Sequence, residues 1–459
     1  MSTAVVWFRR DLRLDDNPAW AAATAEHERV LPIFVLDRRL LDTAGPFRCA
    51  AMLSAITGLD AALRDLDARL HVVDGDPRAV VPAVVDAVGA VGADAVYLNR
   101  DVTPYATHRD HAVEAALTVP VHASWGNSVQ APGSIRTADG TVPRVFSAFY
   151  RRWQQAPFPP EAVPGDAQLI TLDGSVGIPR THDPATDRTA SAADAEDRLH
   201  TFIEDRLAEY PTDRDLPAIL GTSRLSIDLK TGTLSAATAR RAAIAAGPIG
   251  APFVRQLAWR DWFAHLLDET PGLVDAAQRP EYSAIKWRND PDEVGAWKAG
   301  MTGFPIVDAG MRELAATGYM HNRVRMITAS FLVKDLLVDW RIGERHFRHL
   351  LADGDVPQNV GNWQWVAGTG PDAAPYFRVF NPTLQSAKFD PRAAYIRRWV
   401  PELAELDDRA IHEPSKLGPL ELAAAGITLS ADYPLPIVDH AAARLRAIDA
   451  YKHARSRTP

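Results

Sequence analysis

The sequence predicts an α/β domain built on a doubly wound parallel sheet, then a long connection, then an all-α domain. Three observations carry this reading. Short apolar runs alternate with helical periodicity over the first third, a stretch rich in proline, glycine and aspartate follows, and beyond it only helical periodicity remains. The boundaries fall at 1–130, 131–195 and 196–459.

Apolar runs at 4–8, 30–36, 70–73, 95–98 and 119–122 have the length of buried strands. Helical patterns at 18–25, 48–68, 77–88 and 105–117 lie between them. Alternation of this kind implies right-handed crossovers and a sheet covered on both faces. Pro18, directly after Asn17, suits a first helical position. No GxGxxG follows the first strand, so the usual dinucleotide fingerprint is missing.

Periodicity disappears over 154–195, and a structureless stretch that long marks a connection between domains. Patterns at 196–210, 235–246, 253–269, 306–317, 322–338 and 344–351 then fit helices, with no strand alternation between them.

With 47% apolar and 24% charged residues the chain has an ordinary globular composition, and 459 residues suffice for two or three domains. No run of about 18 apolar residues suits a membrane span. The start, MSTAVVWFRRDLRLDDN, lacks the apolar core of a signal peptide. One cysteine, Cys49, rules out an intramolecular disulfide and suits a reducing cytoplasm. The net charge of −8 disfavours nucleic acid, yet residues 321–400 hold eleven Lys/Arg against seven Asp/Glu, and binding to phosphate depends on the local field.

The densest chemistry lies at 319–382, where Trp340, Trp363 and Trp365, the acids Asp353 and Asp355, and Gln358, Asn359, Asn362 and Gln364 crowd together among basic residues. Core packing asks for apolar periodicity, so this mixture suits a pocket for a large polar ring beside an aromatic wall. Asn322, Arg325 and Met326 share one helix face, and an inward Arg325 needs an acid such as Asp353. The hydroxyl-rich loop at 221–235 can cradle a pyrophosphate, or serve only as a helix cap. Gln256 and Trp259 share a face and suit a base edge with a stacking platform, or an ordinary amphipathic helix. Scattered tryptophans such as Trp287, Trp340 and Trp363 are usually core residues. No HExxH and no paired Cys/His spacing exists, so no metal is expected.

The segments WFRRDLRLDDN, YPTDRDLPAILGTSRLS, LAWRDWF, GFPIVDAGMRELAATGYMHNRVRMITASFLVKDLL and DGDVPQNVGNWQWVAGTGPDAAPYFRVFNP resemble the DNA photolyase/cryptochrome family in order and over nearly the whole chain. Within it the chain is most similar to bacterial cyclobutane pyrimidine dimer photolyases. The resemblance implies an N-terminal antenna domain (1–130), an interdomain connection (131–195) and a helical domain binding FAD and DNA (196–459). It implies FAD with Tyr210, Thr222, Ser223, Leu225 and Ser226 on its phosphates, and Arg325, Asp353, Asp355 and Asn359 with Asn322 around its ring. Asn322, Gln256, Trp365 and Met326 would act at the lesion, with Trp259 against it. Arg214, Arg323 and Arg378 would hold DNA phosphates, and Trp363, Trp340 and Trp287 would relay electrons outward.

The implied reaction is light-driven electron transfer that splits the dimer in UV-damaged DNA, performed by a monomer. A cryptochrome-like photoreceptor and a (6-4) photolyase are the competing readings. The departure from the family pattern is Gln256, where dimer photolyases carry glutamate. Glutamine there is typical of (6-4) enzymes, but those have a histidine pair where this chain has Met320, His321, Asn322 and Arg323. Arg48, Asp101 and Lys230 match positions that bind 8-hydroxy-5-deazaflavin as the antenna chromophore. Ala106 stands where folate-binding members have glutamate, which leaves methenyltetrahydrofolate as the alternative.

Overall fold

Strand β1 (Thr3–Phe8) is buried along its whole length and lies central in a parallel sheet. The sheet adds β2 (Arg29–Leu36), β3 (His71–Asp74), β4 (Ala95–Asn99) and β5 (Val121–Ser124) in the order β3-β2-β1-β4-β5. Val5 pairs with Leu31 and Val96, and Ile33 with Trp7 and His71. Because side chains alternate across a strand, Val6 and Phe8 pack with Trp20, Leu53, Ile56 and Leu59 on one face. Val5 and Trp7 pack with Val81, Val84, Val85 and Val113 on the other. Two apolar layers on one sheet are the doubly wound arrangement expected. The crossover helices Pro18–Glu26, Pro46–Arg64, Pro77–Ala87 and Pro104–Ala116 all begin on proline, which costs nothing at the first helical position. The Asn17 side chain caps the first of them by accepting from the Trp20 N–H.

The computed structural model describes residues 1–88, 92–180, 190–372 and 375–456. They divide into two units, Met1–Ala208 with Ser223–Pro271, and Glu209–Thr222 with Gly272–Pro459. This partition cuts differently from 1–130, 131–195 and 196–459. Residues 181–189 of the expected connection lie outside the described residues.

The connection is more structured than its composition suggests. It holds the helix Phe146–Gln155, whose Phe146, Phe149 and Trp153 are buried at helical spacing. It also holds a short strand β6 (Gln168–Leu169), parallel to β2. Three buried aromatics in ten residues form a true amphipathic face; the proline-rich neighbourhood hid it.

The second unit is helical among the described residues, apart from an isolated bridge between Leu429 and Tyr433. The helix expected over 322–338 is shorter: it runs Asn322–Ser330, passes into a π-helical turn at Phe331–Asp335, and ends where Leu337 takes a positive φ of 53°. Within that turn lies the buried Lys334, whose Nζ donates to the Ala367 carbonyl (2.9 Å) and lies 3.6 Å from the Tyr451 ring centroid. The helices Trp340–Leu350 and Val356–Ala367 follow and carry most of the aromatic and amide residues singled out above. No described helix is long and apolar enough to cross a membrane.

Candidate functional site

In the second unit, the helix Asn322–Ser330 starts after His321, whose side chain accepts the Arg323 N–H and fixes the first turn. Arg325 sits one turn in. Its Nη1 and Nη2 donate to the two Asp353 oxygens at 3.1 and 2.9 Å, and its Nε donates to the Met320 carbonyl at 2.7 Å. All three guanidinium nitrogens are thereby engaged, which holds the plane in one orientation. Burial alone would lower the Arg325 pKa; the Asp353 carboxylate more than reverses it. The pair that the sequence required is present.

Asn359 is buried on the helix Val356–Ala367. Its Nδ2 donates to the backbone oxygen and to Oε1 of Glu344, both at 2.9 Å. Two acceptors on one atom settle which end of the amide is nitrogen, so the carbonyl end faces away, ready to accept from a ring N–H. Glu344 is itself buried, and burial raises its carboxyl pKa, opposed by Arg348 and by Asn359. Sequence reasoning missed Glu344, because nothing in its helix distinguishes it from a surface acid. Asp355 is buried at the N-cap of the same helix.

Asn322 and Met326 lie one helical turn apart, with Asn322 Nδ2 3.9 Å from the Met326 sulfur. Trp365 is half-buried. Arg323, expected on a DNA phosphate, pairs with Asp215 (2.8 Å) and lies 4.4 Å from the Phe389 centroid, so a phosphate would have to share it with that acid. Arg214 lies 5.6 Å from the Tyr210 ring, and Arg378 is exposed. Tyr210 is buried, and burial lifts its hydroxyl pKa to about 12, so it keeps the proton and can donate it to an anion.

Trp363 and Trp340 are buried. Trp363 is met edge-on by Phe347 (5.0 Å) and Trp297 (6.3 Å). Trp297, fully buried with its indole N–H on the Thr328 carbonyl, is a neighbour the sequence did not single out. Trp287 packs edge-on against Tyr451 at 6.2 Å. Thr222 closes a segment of this unit.

In the first unit, Ser223, Leu225 and Ser226 lead into the six-residue helix Ser226–Thr231; the Ser223 hydroxyl accepts the Leu225 N–H at 3.4 Å. Gln256 and Trp259 lie on the helix Ala251–Glu269. The Gln256 amide makes only a long 3.5 Å contact to the Pro252 carbonyl. Trp259 stacks on Phe146 at 3.7 Å with an interplanar angle of 13°, so one of its two faces is already covered.

The sheet reverses its winding between β1 and β4, and clefts outside the carboxyl ends of strands at such a switch point bind ligands. Asp101 lies just past β4 there. Arg10, just past β1, pairs with Asp101 at 2.8 Å and donates Nε to the Lys230 carbonyl at 3.3 Å. Arg10, a residue not singled out from the sequence, ties two of the three expected antenna residues together. Arg48 lies in the first turn of the helix Pro46–Arg64. Among the described residues no cluster of His, Cys, Asp and Glu could hold a metal.

Comparison with known proteins adds independent findings. Residues 4–165 match the family model described as DNA photolyase, and residues 253–453 the one described as the FAD binding domain of DNA photolyase. The deoxyribodipyrimidine photo-lyase of Escherichia coli is 38% identical, with 99% of both chains covered. That of Streptomyces griseus is 42% identical, covering 97% of this chain and 98% of its own. A bacterial class III photolyase from Agrobacterium tumefaciens superimposes with a TM-score of 0.91 at 37% identity, covering 99% and 98%. An archaeal photolyase from Sulfolobus tokodaii with two FAD molecules gives 0.85 at 33%, covering 98% and 100%.

Proposed function

The chain belongs to the DNA photolyase family, and from that premise we propose that it repairs cyclobutane pyrimidine dimers in DNA under blue light. The observation that carries the reading is the fixed Arg325–Asp353 pair with the oriented Asn359 amide, a rigid polar frame suited to a flat heteroaromatic ring. FAD would supply the light absorption and the single electron that opens the dimer, returned when the ring has split. Arg325, Asp353, Asp355 and Asn359 would hold the flavin ring, and Tyr210, Thr222, Ser223, Leu225 and Ser226 would serve its phosphates. The Tyr210 hydroxyl, protonated as any tyrosine near neutral pH and held more firmly so by burial, can donate a hydrogen bond there.

Photolyases act on a base taken out of the stack, and a dimer has already lost pairing, so its extrusion costs less than that of a normal base. By the family pattern Trp259, Trp365 and Met326 would be the apolar contacts of the dimer, Trp259 through the face not stacked on Phe146. Gln256 and Asn322 present amides to the thymine edges, donating and accepting without supplying a proton. Arg214, Arg323 and Arg378 position the strand through phosphates. Trp287, Trp340 and Trp363 would be the residues that relay electrons inward toward the cofactor.

For a second chromophore, the placement of Asp101 at the switch point and the Arg10 links support 8-hydroxy-5-deazaflavin at Arg48, Asp101 and Lys230. Methenyltetrahydrofolate is the alternative, and the absorption spectrum of protein from its native host separates them. The chain is read as a cytoplasmic monomer. The function is tested with oligonucleotides holding either a cyclobutane dimer or a (6-4) product, in light and in darkness. Repair of the dimer in light alone is expected; repair of the (6-4) product instead would move the substrate, and no light-dependent repair would leave the photoreceptor reading.

A further inference from the structure

An open pocket of about 290 Å³ lies within the first unit, lined by none of the residues placed at the lesion or on a cofactor. It stands at the lower end of the range of about 300–1,000 Å³ usual for small-molecule sites. Its walls come from the helices Phe146–Gln155, Ala236–Ala245 and Ala251–Glu269 and the turn between the last two: Tyr150, Trp153 and Gln154, then Arg240 and Ile244, then Ala251 and Val254.

Arg240 is the informative member. It is 8% exposed, and its Nε and Nη1 are buried with no hydrogen-bond partner among the described residues. The guanidinium lies 4.6 Å from the Trp153 ring and 4.3 Å from the Phe158 ring. Stacking satisfies the faces of a guanidinium, while its N–H groups project from the edges in the same plane. The nearest acid does not serve them. Asp261 accepts the Trp153 indole N–H (2.8 Å) and the backbone N–H groups of Gln130 (2.8 Å) and Val129 (3.1 Å). The first of those bonds also holds the Trp153 ring in place as a wall. A buried guanidinium without a paired acid is costly, and an anion in the pocket it lines would offset its charge. Further positive charge stands close: Arg241, paired with Asp16, lies 5.6 Å from Phe158, and the exposed Arg255 lies 5.3 Å from Tyr150.

We propose that this pocket binds a nucleoside monophosphate, its phosphate on the Arg240 edge, its base against Tyr150 with the Gln154 amide at the base edge, and its sugar on Ile244, Val254 and Ala251. A phosphate matches the charge of a guanidinium, a planar base matches an aromatic wall, and a sugar tolerates the apolar remainder. The site does not depend on the repair reading.

Calorimetric titration of the FAD-loaded protein tests it, with AMP and TMP as probes and adenosine and inorganic phosphate as the two halves. Arg240→Gln and Ala251→Trp, the second filling the pocket without touching the arginine, are titrated beside the parent after their unfolding temperatures are shown unchanged. AMP or TMP should bind at least tenfold more tightly than either half. Arg240→Gln should weaken that binding tenfold or more, and Ala251→Trp should abolish it. No binding of either nucleotide, binding no tighter than phosphate alone, or binding indifferent to both variants would overturn the proposal. If one variant does not fold, the other decides alone.

Discussion

At the residue scale the Arg325–Asp353 pair is the clearest case of chemistry legible in sequence. A basic residue on the inward face of a helix must find an acid; the spacing put Arg325 inward, and Asp353, offered as one example of such an acid, is its partner. Glu344 was not legible. Its importance comes from the Asn359 amide it orients, and that contact joins residues fifteen positions apart on different helices. Asp353→Ala removes a partner from an arginine that is 23% exposed, so the loss should be about 2 kcal/mol, below the 3–5 typical of full burial. Thermal unfolding measures it, and the FAD-to-protein absorbance ratio should fall with it.

His265 sets a pH dependence. Its Nδ1 accepts the Gly133 N–H (3.2 Å) and its Nε2 lies 3.3 Å from the Gln130 carbonyl, so the neutral Nε2–H form fits and a proton on Nδ1 would face another N–H. Burial pulls its pKa down to about 4 from 6.5. A lowered folded-state pKa gives stability that is complete above pH 6.5 and lost as pH falls toward 4, about 2 kcal/mol of it between pH 7 and pH 5. Asp261 works oppositely: burial raises its pKa to about 6, so acidification through 6 toward 3.8 returns stability. Comparing the parent with His265→Gln at pH 7 and pH 5 cancels the Asp261 contribution. The parent should lose about 2 kcal/mol more than the variant, and equal losses would dismiss the argument. Gln256→Glu restores the acid usual in dimer photolyases, and its repair yield per photon should be unchanged or higher. A large loss would mean Gln256 serves another substrate.

At the element scale, the strands and their crossover helices were readable because burial on both faces makes each strand a continuous apolar run between turn signals. The helix Phe146–Gln155 escaped notice because its ten residues lie beside a proline-rich stretch. The helix Val356–Ala367 escaped because amides and indoles blur its periodicity, the same departure that marks a working site. Within the second unit, Gly343 lets the helix Trp340–Leu350 approach its neighbours. A Cβ there would collide with the Trp363 ring and with Leu332. Gly343→Ala should therefore cost about 1–3 kcal/mol in chemical denaturation, the usual range for overpacking. It should also slow cofactor photoreduction by displacing Trp363. Unchanged photoreduction in a folded variant would remove Trp363 from the relay.

At the scale of the whole molecule, the alternation of strands and helices named the first fold, and the loss of alternation named the second. Which residues belong to which unit was not legible, since Ser223–Pro271 joins the first unit across a break in sequence. Chain order alone cannot show that. The central claim is that these residues support a light-driven cycle in which the electron lent to the dimer comes back. It is tested most directly by counting the dimers repaired per flavin in reduced protein, under anaerobic blue light, after the reductant has been removed. Many repairs per flavin, and none in darkness, are the predicted result. A yield that stops at about one dimer per flavin would contradict the returning electron, and repair in darkness would contradict the role of light.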